Sequence, residues 1–563
     1  MDNVSLTITF FVIFMIVACI GIDILRNNKA YPLSLRYRCR RLINWFLLAG
    51  CYCGMYIARY NVTFISQGII KSQIDINDTG YGIVLTIGYW VYMFVSPFTG
   101  AIGDYLGPKK AVLIGIFGSG IVNILVGLVY LPSDHGTEES NFRSISNHIP
   151  SVFIFSLFYS INFIFQSFAT GSINKINTTW YKKSDLGIFS GLFGAIISSA
   201  YFFTYNYGDS IINSSSIDWP FIFILPGILL LIFTGLIFFI VSENPPIKYS
   251  SHGSDNELID LHHKLSIQDQ MESNQKEQQQ QLSLTISSNE IVSDEEEDDH
   301  HSFMTTNGDD DGAILISKQQ QEIDDILDTQ PLAPKLSLVS RLKIIFKDIT
   351  TKENLKPLTT KQNIINLVCL FCIGFVKEGL LSWFVLFISH TFSKYEQDNP
   401  FFTICSALVT VGAMTGGILC GVISDYFFKS KRTPALFIFF TILNFSIIAL
   451  YFVKSPILFI FILTICFITM FGSTNAVTVL AVLDLGTMKN ASMFTGLITS
   501  AQYLSSGFSG FILGIIVKHG FGYWILAMIP FTTVATLFTG YNSISSMKKL
   551  FKRGSNKNFK IIR

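Results

Sequence analysis

Arg59 lies inside an apolar stretch, residues 42–65 (LINWFLLAGCYCGMYIARYNVTFI), that is long enough to cross a bilayer as a helix. About 20 apolar residues span roughly 30 Å, the thickness of a hydrocarbon core. A guanidinium keeps its charge there, at a cost of at least ~2.5–3.5 kcal/mol on insertion scales. A carboxylate, backbone carbonyls, a water-filled cavity or an anionic ligand must offset that cost. A second cation, Lys377, sits midway through another apolar stretch, CIGFVKEGLLSWF. Brought together, the two would trap an anion. Phosphate suits them best, because arginine forks onto its oxygens while lysine supplies a point charge. The neighbouring Glu378 points about 100° around the helix from Lys377, which predicts poor direct pairing. That leaves Glu378 to face another helix, as a candidate for proton coupling.

The elements that must position these residues are membrane helices. Half of the 563 residues are hydrophobic, 52 are Phe, and only 14% are charged. Soluble domains carry about 25% charged residues, so the composition is that of a membrane protein. Apolar runs of spanning length occur near 6–24, 42–65, 81–103, 111–131, 151–173, 187–207 and 219–242. A second series follows near 363–391, 401–423, 435–453, 456–480, 493–517 and 522–545. The order is one extra run, then six, then six. We expect an extra N-terminal helix in 1–30, a six-helix bundle over 42–242, a linker over 243–360, a second bundle over 361–545 and a basic tail over 546–563. The linker holds NQKEQQQQ (274–281), DEEEDD (294–299) and His300–His301, a composition that cannot bury enough apolar surface to fold alone. Its end, Lys335 to Lys361, turns basic and suits a membrane surface. The nine cysteines lie mostly in apolar runs. Cys369 and Cys372 have redox spacing but no partner pair, and read as small packing residues.

Lysine and arginine near membrane ends set the orientation. Residues 26–41, the tail and the short loops on the same side carry 22 of them, against five on the other (Lys71, Arg143, Lys394, Lys454, Lys518). Both basic flanks, the linker and the C-terminus are therefore expected in the cytosol. The first run lacks a basic n-region, which argues against a cleavable signal peptide, and reads as an extra helix with its N-terminus outside or as a helix lying in the membrane interface. Asn77 and Asn213 begin outer-side glycosylation sequons, whereas the Asn177 sequon falls inside.

The two series repeat one pattern. The loop after the second helix of the first six reads GAIGDYLGPKK, with Gly100, Asp104, Lys109 and Lys110. Its counterpart, GVISDYFFKSKR, holds Gly421, Asp425, Lys431 and Arg432. Asp104 lies 45 residues beyond Arg59, and Asp425 lies 48 beyond Lys377. Such duplication is expected of transporters built from repeated halves. The glycines would let helices approach closely. The aspartates would cap a helix or pair with lysine, closing the cytosolic side. This pattern resembles the major facilitator superfamily over ~42–242 and ~361–545. GAIGDYLGPKK is similar to the family's G-x-x-x-D-[RK]-x-G-[RK]-[RK], departing at Tyr105 and Pro108.

Within that superfamily, MYIARYNVTFI resembles the first helix of the organophosphate:phosphate antiporters and sugar-phosphate exchangers. The resemblance puts Arg59 on their substrate arginine. FVKEGLLSW is similar to their seventh-helix segment, placing Lys377 on a basic and Trp383 on an aromatic family position. NKINTTWYKKSDLG resembles the fourth-helix end, placing Lys175 on a basic position and Trp180 on an aromatic one. The Gly-Trp-Pro run before Lys175 is absent. Ser96 and Ile197 stand where bacterial members have lysine and histidine.

The resemblance implies an all-α, polytopic transporter of two pseudo-symmetric six-helix bundles that works by rocking alternating access. It would exchange a phosphorylated sugar or glycerol phosphate for inorganic phosphate, with Arg59, Lys377 and Lys175 as substrate ligands. Two alternatives remain open: a proton- or ion-coupled facilitator of another organic anion, and a receptor or scaffold that uses the acidic linker. The expected partners are a small anion, inorganic phosphate and the bilayer, with one chain as the transport unit. The sequence offers no glycine-rich phosphate loop, metal-ligand cluster or nucleophile–base pair. No enzyme activity, cofactor, metal or nucleic acid is therefore expected.

Overall fold

The computed structural model describes residues 3–25, 34–131, 149–181, 186–214, 216–245, 359–391, 401–428, 432–453, 455–485 and 491–558. The acidic linker, except for 243–245 and 359–360, lies outside the described residues, as do Lys431 and the side chains of Asp425 and the basic tail. The described residues are helical with short turns and contain no strand.

The extra run forms α1 (Asn3–Leu25). The first six runs form α2 (Leu35–Tyr60), α4 (Asp78–Leu106), α5 (Pro108–Tyr130), α6 (Ser151–Trp180), α7 (Leu186–Ile212) and α8 (Phe221–Ile240), with a short α3 (Gly68–Ile74) on the way. The second six form α9 (Lys361–Ser382), continued by α10 (Phe384–Thr391), then α11 (Phe401–Phe428), α12 (Arg432–Phe452), α13 (Pro456–Leu485), α14 (Ala491–Ile516) and α15 (Phe521–Asn558). Among the described residues, eleven helices are long and apolar enough to cross a bilayer. Local chemistry sets several boundaries. Ser34, Asn77 and Thr360 side chains accept hydrogen bonds from backbone N–H groups three residues on, capping α2, α4 and α9. Between α4 and α5, Gly107 takes φ +93°, a conformation that favours glycine.

The repeat is visible in the packing. In the first half α4 packs on α6, α5 on α6 and α8, and α2 on α7. Their counterparts in the second half make the same pairs: α11 on α13, α12 on α13 and α15, and α9 on α14. The halves meet along two seams that are also equivalent, α4 with α14 and α7 with α11. At the first seam the backbones nearly touch. A Cβ added to Gly82 would lie 2.5 Å from the Gly510 carbonyl oxygen, so any side chain there would push the halves apart.

The leading helix of each half is broken inside the membrane span. After Tyr60, α2 gives way to a 3-10 turn, Asn61–Ser66. Trp383 interrupts the expected single run 363–391 between α9 and α10. Broken helices expose unpaired backbone groups, which hydrocarbon does not tolerate unless protein or water meets them. Both breaks fall beside the buried cations.

Candidate functional site

An amide lattice holds the last turn of α2. Gln166 on α6 donates to the Met55 carbonyl (3.0 Å), to Ser119 Oγ and to Asn162 Oδ1. Asn162 Nδ2 donates to the Ala58 carbonyl (2.9 Å), and Asn61 Nδ2 to Asn123 Oδ1 (2.9 Å). With its amide nitrogen so occupied, Gln166 presents Oε1 to Arg59 Nε at 2.9 Å. One terminal guanidinium nitrogen of Arg59 donates to the hydroxyl of Tyr503 on α14, in the other half. The second, Nη2, is buried without a hydrogen-bond partner. The guanidinium lies over Phe163 (4.9 Å), Tyr56 (5.0 Å), Tyr92 (5.5 Å) and Tyr503 (5.8 Å). Aromatic faces stabilise a desolvated cation by about 0.5–2 kcal/mol each without neutralising it. Arg59 is 1% exposed and, among the described residues, has no carboxylate in ion-pair reach.

Lys377, 5% exposed, is held differently. Its Nζ lies 3.2 Å from Glu378 Oε1, which corrects the expected poor pairing of these neighbours. Their Cα–Cβ bonds diverge, but the long lysine stem bends back. In a dry site the cost of leaving either charge alone outweighs that bend. Glu378 also accepts from Tyr60 (3.0 and 3.1 Å), Tyr89 (2.9 Å) and Ser382 (3.4 Å). At the α9 break, Tyr81 donates to the Ser382 carbonyl and Tyr205 to the Leu381 carbonyl (2.9 Å). Thus Tyr60, Tyr81, Tyr89 and Tyr205 of the first half satisfy the broken helix of the second. Tyr503 of the second half reaches Arg59 of the first.

Both cations are buried. Ring pairs link their surroundings, Tyr56–Tyr60 (centroids 5.8 Å apart) and Tyr89–Tyr503 (5.9 Å). Both seams are in contact along their length. Thr79 donates to the Gly514 carbonyl (3.1 Å) at one end of the first seam, Thr86 to Gly507 (3.0 Å) in the middle, and Ser96 to Gly496 (3.1 Å) towards the other end. On the second seam Asn206 donates to Ser406 Oγ (2.7 Å). At these positions the two halves are in contact on both seams.

Lys175 is not with the other two cations. It pairs with Asp104 at 2.7 Å, and the other oxygen of Asp104 accepts the backbone N–H of Met493 (3.2 Å) in the first turn of α14. Lys175 thus belongs to the loop motif, and Asp104 ties two elements of one half to a helix start in the other. Nearby, Glu243 accepts from the backbone N–H of Lys109 (3.0 Å), whose Nζ donates to the Phe238 carbonyl (2.9 Å). Gly100 is buried in α4. Gly421 contradicts the close-approach reading, since a Cβ there would meet nothing within 4 Å. Gly416 serves that purpose instead, 2.2 Å from the Ile468 oxygen by the same measure. Arg432 opens α12. Asn77 spends its side-chain oxygen on capping α4, and Asn213 follows α7.

The tyrosines and amides were not singled out from the sequence. A usable signal was present: Asn123, Asn162 and Gln166 are amides inside spanning runs, where an unpaired polar group is costly.

A duplicated bundle of helices long and apolar enough to cross a bilayer, with a buried Arg59 that no carboxylate reaches among the described residues, is the architecture of a multi-pass membrane transporter. Residues 48–510 match the family model of the Major Facilitator Superfamily, and the chain belongs to that family. The chain is 23% identical over 533 residues to a "probable hexose phosphate transport protein" of Chlamydia trachomatis serovar D, covering 91% of this chain and 94% of that one. Its fold is similar to a bacterial homologue of the human lysosomal transporter Spinster, inward-facing and unoccupied (TM-score 0.54, 13% identity, 90% and 98% of the chains covered). It is also similar to the xylose transporter XylE from E. coli in a partially occluded, inward-open conformation (TM-score 0.54, 13% identity, 89% and 98% covered).

Proposed function

We propose that this transporter carries a phosphorylated sugar, with hexose phosphates foremost, in exchange for inorganic phosphate. The observation that carries the reading is Arg59: fully buried, ringed by aromatic faces, joined to neutral partners and left with a free Nη2. A phosphoryl oxygen is the partner such a nitrogen lacks, and charge-assisted bonds of this kind are about twice as strong as neutral ones. The tyrosine rings around it offer faces for a sugar and hydroxyls for its oxygens. The similarity to a probable hexose phosphate transport protein supports the same substrate class.

The pairing of Lys377 with Glu378 refines the charge balance. As paired, the three side chains carry one net positive charge, which matches a monoanionic phosphate ester. A dianion would be matched only if Glu378 took up a proton, which would also free Lys377 for the substrate. This favours Lys377 as a second, conditional ligand, and keeps proton coupling through Glu378 as the second reading. In either case the Asp104–Lys175–Met493 contact would be broken and remade as the cytosolic end opens. We place the C-terminus and both basic flanks in the cytosol on the lysine and arginine bias.

The test is counterflow. Proteoliposomes loaded with inorganic phosphate should accumulate labelled glucose 6-phosphate without an imposed pH gradient. No accumulation from phosphate-loaded vesicles overturns the exchange reading. Uptake that needs an inward proton gradient and disappears in Glu378→Gln selects the second.

A further inference from the structure

We propose that α1 is a strap that holds the α7–α11 seam closed and must slip each time the halves separate. Two features of α1 carry this. Its end is anchored to the first half by a buried charge cluster. Asp23 accepts from Arg41 (3.1 Å) and Trp45 (3.0 Å) of α2 and from Tyr181 (3.1 Å) after α6. Arg41 also lies over the Tyr181 ring at 4.3 Å, and Arg38 donates to the Ile24 carbonyl. Above this anchor, α1 lies across both halves at once. Cys19 packs with Leu192 and Ala195 of α7 and with Met414 of α11, and Val12 packs with Phe202 of α7 and Ala407 of α11.

The opposite face, with Phe10, Phe14 and Val17, is exposed as expected of a surface turned to lipid. In lipid, apolar helices are held together by close packing, and α1 packs on both halves, so packing alone would not choose one of them. The Asp23 cluster makes the choice. Separating Asp23 from Arg41 would leave unpaired charges in a dry setting, which is strongly unfavourable. α1 therefore rides with the first half, and any movement of α11 away from α7 breaks its contacts with Ala407 and Met414. These contacts belong to the closed seam and are absent from an open one, so they stabilise closure. The inference concerns the seam and holds whatever the substrate is.

Seam opening can be read by thiol labelling. Ser406→Cys places the thiol inside the closed seam, where Ser406 is fully buried and accepts from Asn206 of α7. Among the native cysteines only Cys39 is exposed, so Cys39→Ser gives a quiet background. In the full chain in proteoliposomes, maleimide should label Ser406→Cys several-fold faster when Asp23→Asn loosens the anchor, and likewise when residues 1–30 are removed. Met414→Ala trims the contact from the other side and leaves the anchor intact. It should also speed labelling in the full chain but add little once 1–30 are gone, a non-additivity that a merely structural role would not produce. Equal labelling rates for the full chain, Asp23→Asn and Met414→Ala overturn the strap. So does full additivity of Met414→Ala with the truncation.

Discussion

The two halves place a cation near the break of their leading helix, yet they treat it in opposite ways. Arg59 in the first half meets an amide oxygen, a phenol and four aromatic faces, and nothing cancels its charge. Lys377 in the second half leans on Glu378, which in turn is held by two tyrosines of the first half. Duplication supplied the symmetry, and the division of labour lies in the partners. In the function proposed above, the first half would offer a fixed charge for a ligand to meet. The second would offer a charge already paired, which a ligand would have to win by competition.

The sharpest way to break this comparison is to remove the fixed charge's fork. Arg59→Lys keeps the charge but loses the planar donor pair that Gln166 and Tyr503 aim. It should lower kcat/KM for sugar-phosphate exchange by at least about 100-fold, or about 3 kcal/mol, with little change in melting temperature. Counterflow within threefold of wild type would remove Arg59 from the binding role.

Next in size is the compensated pair. Lys377→Met strands a buried carboxylate and Glu378→Gln strands a buried ammonium, and each should cost about 3 kcal/mol of stability. The double variant Lys377→Met/Glu378→Gln should recover most of the melting temperature, because no lone charge remains. If Lys377 serves the substrate, transport stays lost in the double variant. Recovery of both stability and transport would show the pair to be scaffold only.

A third variant makes the first half imitate the second. Gln166→Glu hands Arg59 a carboxylate where an amide oxygen now sits, 2.9 Å away. Substrate affinity should fall about tenfold, read as a higher KM with the chain still folded. An unchanged KM would mean that the charge of Arg59 was already compensated, contrary to the contrast drawn above.

Much of this was legible in the sequence, for definite reasons. Apolar length made the spanning helices plain, and the matched GDY and SDY loops gave away the repeat. A cation cannot hide in hydrocarbon, so Arg59 and Lys377 stood out. What could not be read was who meets them. Tyr503 lies 444 residues from Arg59 and Tyr60 lies 318 from Glu378, and tyrosine is too common in membrane helices to mark itself. Lys175 was misplaced because resemblance gives a helix and a register but not the side chain's partner, which proves to be Asp104. The Lys377–Glu378 pairing was misjudged because helix geometry fixes where Cβ points, while a long side chain decides for itself where its end goes. Asp23 in α1, an acid near the end of an apolar run, was a signal of the same kind as Arg59 and was passed over.

The smallest predicted effect tests whether the tyrosines that join the halves tune the second charge. Tyr60 gives its hydroxyl to both oxygens of Glu378. Tyr60→Phe removes that donor and keeps the ring between Tyr56 and Tyr201. A hydrogen bond to a charged group contributes about 1.5–3 kcal/mol, but Tyr89, Ser382 and Lys377 remain as donors, so the loss should fall at the low end. With fewer donors, the carboxylate holds Lys377 more tightly, and substrate should find the lysine harder to capture. We expect KM to rise about threefold to tenfold with kcat nearly unchanged. The variant should also lose its effect in the Glu378→Gln background. An equal effect of Tyr60→Phe in both backgrounds would mean that Tyr60 acts on the substrate itself rather than through the compensated pair.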